Sequence, residues 1–350
     1  MVEQPGRQVN IIPAGRRVPV RTRASLAQQR GATVSAISAE PAPDLSVDLA
    51  PGHRSGLRLD PPVLTASGTF GFGDEYLGVV DYARLGAIIT KTVTPAARDG
   101  NPTPRTVETP AGMLNSIGLP NAGGASVIRQ KRDLWRDLPC PVIVSLAAPD
   151  AESWTALAAA FEGLPNVVAL EANLSCPNVA GLDFAADPSA TGVMLRAVVR
   201  GTSLPIIAKL SPNVTDIQPV ARAAEDAGAH AISLINTVLG MVIDVERRRP
   251  FLGNRVGGVS GPAIRAIAVR CVYQAFETVR VPLIGIGGIA TAEDALQFIL
   301  AGATTVQVGT ATFRNPQAPV EVADGLRAHL RRHGLPSLLS LVGAAHRADG

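Results

Sequence analysis

Two amides flank a single thiol in the stretch Glu171–Val179, which reads Glu-Ala-Asn-Leu-Ser-Cys-Pro-Asn-Val. The apolar run Val167–Leu170 precedes it and predicts a buried strand, so Asn173, Cys176 and Asn178 come where a strand gives way to a loop. Amides can fix a planar polar substrate, and a thiol can act as a general base or nucleophile near neutral pH. A small cysteine buried in a strand-end turn is the alternative, because unpaired cysteine is among the most buried residue types.

Length and composition limit the classes of protein to consider. The chain has 350 residues, 46% of them hydrophobic, which is enough for two average domains or one large α/β barrel. Its three cysteines form no C-x-x-C pair, so we expect no metal site, and such sparse cysteine suits a cytoplasmic protein. No apolar run reaches the roughly 18 residues of a membrane span, so we expect no membrane partner.

The beginning of the chain differs in composition from the rest. Residues 1–43 hold six arginines and two glutamates among many Pro, Ala and Ser, which predicts a disordered extension, although a transit peptide has a similar composition. The remaining residues are close to neutral in charge, so they do not indicate a nucleic-acid surface. We expect residues 44–350 to form one folded domain.

Strand and helix patterns alternate after a predicted β-hairpin at residues 45–59. The predicted strands are 63–66, 87–90, 141–145, 167–170, 205–208, 231–235, 282–286 and 305–308. The predicted helices are 75–82, 124–137, 151–162, 189–200, 217–227, 262–279, 292–300 and 320–333. Eight such units predict an α/β fold, a closed (β/α)8 TIM barrel with an N-terminal β-hairpin. A doubly wound open sheet is the alternative, but no G-x-G-x-x-G follows the first strand.

The carboxyl ends of barrel strands meet at one mouth, so residues far apart in sequence should converge there. Those that could do chemistry at predicted strand ends are Ser67, Lys91, Ser145, Asn173, Cys176, Lys209, Asn236, Gly287, Gly288, Gly309 and Thr310. The glycines after strands seven and eight fit a phosphate site, although turn geometry alone also favours glycine. Cys140 and Cys271 are expected to pack in the core, and no histidine ends a strand.

These motifs together resemble the class 1 dihydroorotate dehydrogenases, flavoenzymes of pyrimidine biosynthesis. The similarity covers about residues 45–316 and is greatest to the catalytic subunit of class 1B. The motifs that carry it are Ser67–Tyr76, Lys91-Thr92, Asn115–Leu119, Asn173–Asn178, Lys209, Ile235–Thr237, Gly261, Gly287-Gly288 and Gly309-Thr310.

The resemblance implies a role for each matching residue. FMN would be bound by Ser67, Lys91, Thr92, Ser145, Asn173, Lys209, Ile235, Gly261, Gly287, Gly288, Gly309 and Thr310, the last four holding its phosphate. Dihydroorotate would contact Lys91, Asn115, Ser116, Ile117, Gly118, Leu119, Asn173, Asn178, Asn236 and Thr237. Cys176 would be the base that removes a proton from C5, while a hydride leaves C6 for flavin N5. Ser145 departs from the family, which commonly has Asn there, and this bears on one flavin contact.

The resemblance also implies partners. Class 1B enzymes pass electrons to NAD through a second subunit that carries FAD and a 2Fe-2S cluster. We therefore expect a homodimer of this chain within a heterotetramer that includes two electron-transfer chains.

Four alternatives stay open at this point. A fumarate-linked class 1A enzyme and a dihydropyrimidine or dihydrouridine oxidoreductase share the fold and cofactor. A Schiff-base lyase or isomerase would use Lys209 or Lys91 as its nucleophile. A non-catalytic phosphate-binding barrel would need only the glycines.

Overall fold

Eight parallel strands form a barrel in the computed structural model, which describes residues 42–174 and 187–347. The strands are β1 (Val63–Thr65), β2 (Ile88–Ile89), β3 (Val142–Leu146), β4 (Val167–Asn173), β5 (Ile206–Lys209), β6 (Ala231–Leu234), β7 (Leu283–Ile286) and β8 (Ala303–Val308). Each lies within three residues of its predicted position, because each is a short apolar run between polar turns.

The sheet closes between its first and last members. Along the sheet the strands follow the order β1, β8, β7, β6, β5, β4, β3, β2. A parallel bridge between Leu64 and Ala87 joins β1 to the start of β2, and the N–H of Gly86 donates to the carbonyl of Val63 at 3.0 Å. The predicted (β/α)8 barrel is therefore confirmed.

Helices follow seven of the eight strands and cover the outside of the barrel. They are α1 (Gly124–Asp137), α2 (Ala151–Ala160), α3 (Pro188–Gly201), α4 (Gln218–Asp226), α5 (Arg265–Phe276), α6 (Ala292–Leu300) and α7 (Ala318–Arg332). The predicted segment 262–279 instead begins as a 3-10 turn at Pro262–Ile264 and continues as α5.

The helix predicted at 75–82 is wrong. The chain forms turns there, followed by a single 3-10 turn at Tyr82–Arg84. Gly78 adopts a φ of 75°, which interrupts a right-handed helix, and the Glu75 carboxylate accepts the N–H of Phe72 at 2.9 Å. These contacts fix a compact loop after β1.

The predicted N-terminal hairpin is confirmed, with strands Val47–Asp48 and Arg58–Leu59 paired antiparallel. Its apolar side chains join the barrel interior in one core, separate from the core beneath the helices. This interior core consists of Val47, Leu49, Ala50, Leu57, Leu59, Leu64, Ala87, Ile89, Ile143, Ala169, Ile207, Ala231 and Ile284. This core includes the first or second residue of several strands, as at Ala231 and Ile143. The hairpin therefore closes the end of the barrel where the strands begin.

Two segments for which the sequence predicts neither helix nor strand, 91–123 and 236–261, contain strands. Thr106–Thr109, Gly112–Asn115, Gly257–Ser260 and Val238–Gly240 form a four-stranded antiparallel sheet, here named the cap sheet, and a small hairpin pairs Ile243–Asp244 with Arg249–Pro250. The cap-sheet strands are rich in glycine and pair across long sequence separations, Asn115 with Gly258 for example. No local apolar alternation marks them, so their sequence resembles a loop.

Within the described ranges, no helix has the length and apolar character to cross a membrane. The same residues contain no cluster of three His, Cys, Asp or Glu side chains able to hold a metal ion. Residues 1–41 lie outside the described part, so the extension proposed for residues 1–43 stays a prediction.

The N-terminal hairpin, here named the hairpin plug, should contribute to the stability of the barrel. Leu49 is fully buried in the interior core, so Leu49→Ala should lower the free energy of unfolding by about 2–5 kcal/mol, through lost burial and a residual cavity. Leu339, which is 52% exposed, provides the matched control. Leu339→Ala should change the free energy of unfolding by about 0.5 kcal/mol or less. Urea denaturation measures both. Equal changes in the free energy of unfolding for the two substitutions would contradict a stabilising role of the hairpin plug.

Candidate active site

A polar layer lies on the inner face of the barrel, directly above the apolar interior. Along β4, Ala169 belongs to the interior core, and alternate residues after it, Glu171 and Asn173, face the same way. Asn173 pairs in register with Lys209 of β5, and Glu171 pairs with Ser145 of β3. The predicted site residues Ser145, Asn173 and Lys209 therefore lie on three neighbouring strands, each within the last two residues of its strand.

A chain of hydrogen bonds links side chains from four strand ends. The hydroxyls of Thr92 and Ser145 are 2.9 Å apart, and Nδ2 of Asn173 donates to Thr92 Oγ1 at 3.2 Å. Asn236 in turn approaches Asn173, with Nδ2 3.5 Å from its Oδ1. Since Thr92, Ser145 and Asn173 are buried, these contacts hold their polar groups in fixed orientations. Ser145 thus has a buried partner in Thr92.

Lys209 lies at the centre of this layer and is 4% exposed. Its ammonium donates to Ser67 Oγ at 2.9 Å and lies 3.8 Å from Oε1 of Glu171. The other carboxylate oxygen, Oε2, accepts from Gln307 Nε2 at 2.9 Å and from Ser233 Oγ at 3.2 Å. Sequence reasoning assigned no role to Glu171, Ser233 or Gln307. The available signal was an acidic residue two positions before Asn173 in an apolar strand.

Lys91 provides a second ammonium at the end of β2 and is partly buried. Its backbone N–H donates to the carbonyl of Gly71 at 2.7 Å, which ties it to the loop after β1. Burial is the largest cause of the change in its pKa, which is lowered from the usual lysine value. The Glu75 carboxylate opposes this shift, and the Arg105 guanidinium adds to it.

The segment Asn115–Leu119 leaves the cap sheet and is held by side chains that sequence reasoning missed. Ser116 Oγ accepts from Asn101 Nδ2 at 2.7 Å, and the carbonyl of Ile117 accepts from the Asn101 N–H at 3.0 Å. Arg98 Nε donates to the carbonyl of Gly118 at 3.3 Å. Leu119 ends the segment with a φ of 54°. These contacts fix the backbone of the predicted substrate segment.

The segment after β6 is held in a similar way. Oδ1 of Asn236 accepts the N–H of Thr237 at 2.8 Å, and Asn213 Nδ2 donates to the Thr237 carbonyl at 3.1 Å. Thr237 packs against Gly258 so closely that a Cβ there would lie 1.9 Å from its Oγ1. Asn115 Nδ2 donates to the carbonyl of the same glycine at 3.2 Å. Gly258 therefore connects the two predicted substrate segments.

Glycines after β6, β7 and β8 form a close backbone cradle. Gly261, Gly287 and Gly288 have φ values of 94°, 134° and 69°, which side chains rarely adopt. A Cβ on Gly288 would lie 2.8 Å from the carbonyl oxygen of Gly261, and one on Gly309 would lie 3.2 Å from Ala66 Cβ. The φ values and the close packing therefore require glycine at these positions, and glycine backbone N–H groups are also the donors that a phosphate site uses.

Polar side chains complete the cradle. Thr310 Oγ1 donates to Ser260 Oγ at 2.8 Å. Arg265 donates to the carbonyl of Gly288 at 3.3 Å and forms an ion pair with Asp294. Sequence reasoning missed Arg265. Ile235 is buried beside this region, and its N–H donates to the carbonyl of Ile286 at 3.0 Å.

The donor set fits a flavin phosphate and ring. The glycine cradle and Thr310 suit an anion, and the layer of Lys91, Lys209, Thr92 and Asn173 offers hydrogen bonds to ring carbonyls and nitrogens. Cys176 and Asn178 fall in residues 175–186, outside the described part. Leu174, the last described residue before them, directly follows Asn173 at the mouth.

Comparison with known proteins identifies the family of the chain. The family model described as dihydroorotate dehydrogenase matches residues 53–330. The "Dihydroorotate dehydrogenase B (NAD(+)), catalytic subunit" of Desulforudis audaxviator is 53% identical over 298 residues, which cover 85% of this chain and 97% of that protein. Proteins of the same name from Geotalea uraniireducens and Desulforamulus reducens are each 50% identical, over 86% and 81% of this chain and 98% and 94% of their own lengths. The chain therefore belongs to the dihydroorotate dehydrogenase family.

Proposed function

We propose that the chain oxidises (S)-dihydroorotate to orotate in de novo UMP biosynthesis, as the catalytic subunit of an NAD-linked dihydroorotate dehydrogenase. One observation carries the proposal: in a chain of this family, buried polar side chains from the ends of β2, β3, β4 and β5 lie at one mouth beside a glycine cradle. The names of the compared relatives support the NAD-linked type over the fumarate-linked one.

Dihydroorotate dehydrogenases are flavin-dependent as a family, and we propose FMN as the flavin of this chain. Gly261, Gly287, Gly288, Gly309 and Thr310 would hold its phosphate. Ser67, Lys91, Thr92, Ser145, Asn173, Lys209 and Ile235 would contact the rest of it. When bound, the flavin supplies the oxidant that takes up two electrons and the hydrogen from C6 of the substrate.

The substrate carries a carboxylate and a ring with amide groups. Lys91 would pair with the carboxylate, because its partly buried ammonium lies at the end of β2. The Arg105 guanidinium lowers the pKa of Lys91, and the Arg105 carbonyl accepts the Ser116 N–H at 2.8 Å, so Arg105 lies between Lys91 and segment 115–119. Asn115, Ser116, Ile117, Gly118 and Leu119 would contact the substrate from one side, and Asn173, Asn178, Asn236 and Thr237 from the other. Amides both donate and accept, so they suit a ring that presents N–H and C=O groups together.

Cys176 would be the general base that removes the proton from C5. A thiol has an ordinary pKa of about 8.5, so the site must favour the thiolate for it to act near neutral pH. Water exclusion by bound substrate would strengthen every charge interaction around it.

Electrons would leave the chain through a partner. The relatives are named catalytic subunits, which supports a second subunit in their enzymes. We propose that this subunit carries FAD and a 2Fe-2S cluster and passes electrons to NAD. Two such subunits with a homodimer of this chain would form the heterotetramer.

The Schiff-base alternative gains no support from Lys209. The Lys209 ammonium donates to Ser67 and faces the Glu171 carboxylate, an arrangement that suits a fixed positive charge. A lysine nucleophile must instead offer a neutral amine.

An anaerobic visible spectrum tests the proposed function. The purified chain, reconstituted with FMN, should show a flavin band, and dihydroorotate should bleach it. A band that other dihydropyrimidines bleach, and dihydroorotate does not, would identify a different substrate. A protein that binds no flavin would contradict the proposal.

The base assignment makes a separate prediction. Cys176→Ala should retain FMN but reduce the rate of flavin bleaching by dihydroorotate about 100- to 10,000-fold, the usual contribution of general base catalysis. The buried Cys271 of α5 provides the control, since Cys271→Ala should bleach at the wild-type rate. Stopped-flow absorbance measures both rates. A wild-type rate in Cys176→Ala would remove the assignment.

The lowered pKa of Lys91 predicts the pH dependence of substrate binding. As the pH rises through that pKa, the ammonium loses its proton and its attraction for the carboxylate. The dissociation constant of orotate should therefore start to rise at a pH below 10.5, the ordinary lysine value. Above the pKa of Lys91 it should increase by about tenfold per pH unit. Lys91→Arg keeps its charge at these pH values, so its alkaline rise should be absent. Fluorescence titration across pH measures both proteins, and identical alkaline limbs would contradict the role of Lys91.

A further inference from the structure

Glu171 is a fully buried carboxylate inside the barrel, one layer below the mouth. Its Oε2 accepts hydrogen bonds from Gln307 on β8 and Ser233 on β6. Its Oε1 accepts no hydrogen bond from the described residues and lies 3.8 Å from the Lys209 ammonium. Three strands thus hold this carboxylate with one oxygen directed at the lysine.

The fold itself does not need a charge at this position. Its interior neighbours include the aliphatic Ala169 and Ile207, and burying a charge costs free energy that an apolar residue avoids. A buried ion pair is therefore weak support for stability and is more often kept for specificity or chemistry. The same Lys209 Nζ that faces Glu171 also donates to Ser67 at the mouth.

We infer that Glu171 is a positioning residue that orients the Lys209 ammonium and partly offsets its charge, and so tunes the redox potential of the bound flavin. The inference rests on the proposed function, because it requires flavin at this mouth. In this role Glu171 would contact neither substrate nor flavin. It acts through Lys209.

The sign of the effect follows from charge. Two-electron reduction makes the flavin ring more negative unless a proton follows, so positive charge nearby favours the reduced form. The Glu171 carboxylate opposes the field of Lys209. Its removal should leave the ammonium without that opposition and should favour reduced flavin.

Glu171→Gln is the test, because it keeps the shape and one oxygen that can accept from Gln307 and Ser233, while it removes the charge. In the FMN-loaded full chain, the ratio of reduced to oxidised flavin at a fixed potential should increase at least tenfold. For a two-electron couple this corresponds to a midpoint about 30 mV higher. Equilibration with a reference dye measures it. A midpoint equal to or below that of the wild-type chain, in a folded and flavin-loaded variant, would overturn the inference.

Two further variants keep the test decisive. Ser233→Ala removes a hydrogen bond to the same carboxylate but leaves both charges, so its reduced-to-oxidised ratio should stay within about twofold of wild type. Glu171→Asp keeps the charge but withdraws it from Lys209, so it should shift the ratio in the same direction by a smaller factor. It replaces Glu171→Gln if that variant does not fold, and an unchanged midpoint in Glu171→Asp then overturns the inference.

The outcomes also separate this inference from the proposed function. A wild-type chain that binds no FMN, or whose flavin dihydroorotate does not bleach, contradicts the proposed function. A wild-type flavin that bleaches with dihydroorotate while Glu171→Gln has an unchanged midpoint contradicts the role of Glu171 alone.

Discussion

Closure of the parallel barrel is the constraint on which the site depends. The bridge between Leu64 and Ala87 joins the first strand to the second, and the register between β4 and β5 sets Asn173 against Lys209. A shift of one residue in any strand would turn its polar strand-end residue out of the barrel, because side chains alternate between faces. The apolar interior fixes that register. Ala169 must face the core if Glu171 and Asn173 are to face the mouth.

In the polar layer, attraction between buried charges opposes the free-energy cost of burying them. At 3.8 Å, the Glu171–Lys209 attraction has a magnitude of about 4 kcal/mol at an effective dielectric constant of 20, and desolvation of two buried charges offsets much of it. The donors Ser233 and Gln307 satisfy the second carboxylate oxygen. The apolar core and the hairpin plug therefore supply the stability, and the polar layer supplies fixed charges and hydrogen bonds at the mouth. This division explains why the two layers differ so sharply in composition.

Sequence patterns could predict the barrel and the convergence of its strand ends because both are local or topological. Each strand is an apolar run, and the placement of Lys91, Asn173 and Lys209 follows from barrel topology alone. The cap sheet could not be predicted, since its strands pair residues as distant as Asn115 and Gly258 without an apolar period. The partnership of Glu171 with Gln307, across the barrel from β4 to β8, is non-local in the same way.

The cap sheet gives the mouth a property that separate loops would lack. Gly258 contacts both Asn115 and Thr237, which lie in the two segments proposed for the substrate. The same strand continues to Ser260, whose hydroxyl bonds Thr310 in the glycine cradle, and to Gly261. The regions proposed for substrate and for cofactor phosphate thus share one strand, Gly257–Ser260. A displacement of that strand would change both regions together, so the proposed substrate and cofactor would be held in a fixed relation, which transfer between them requires.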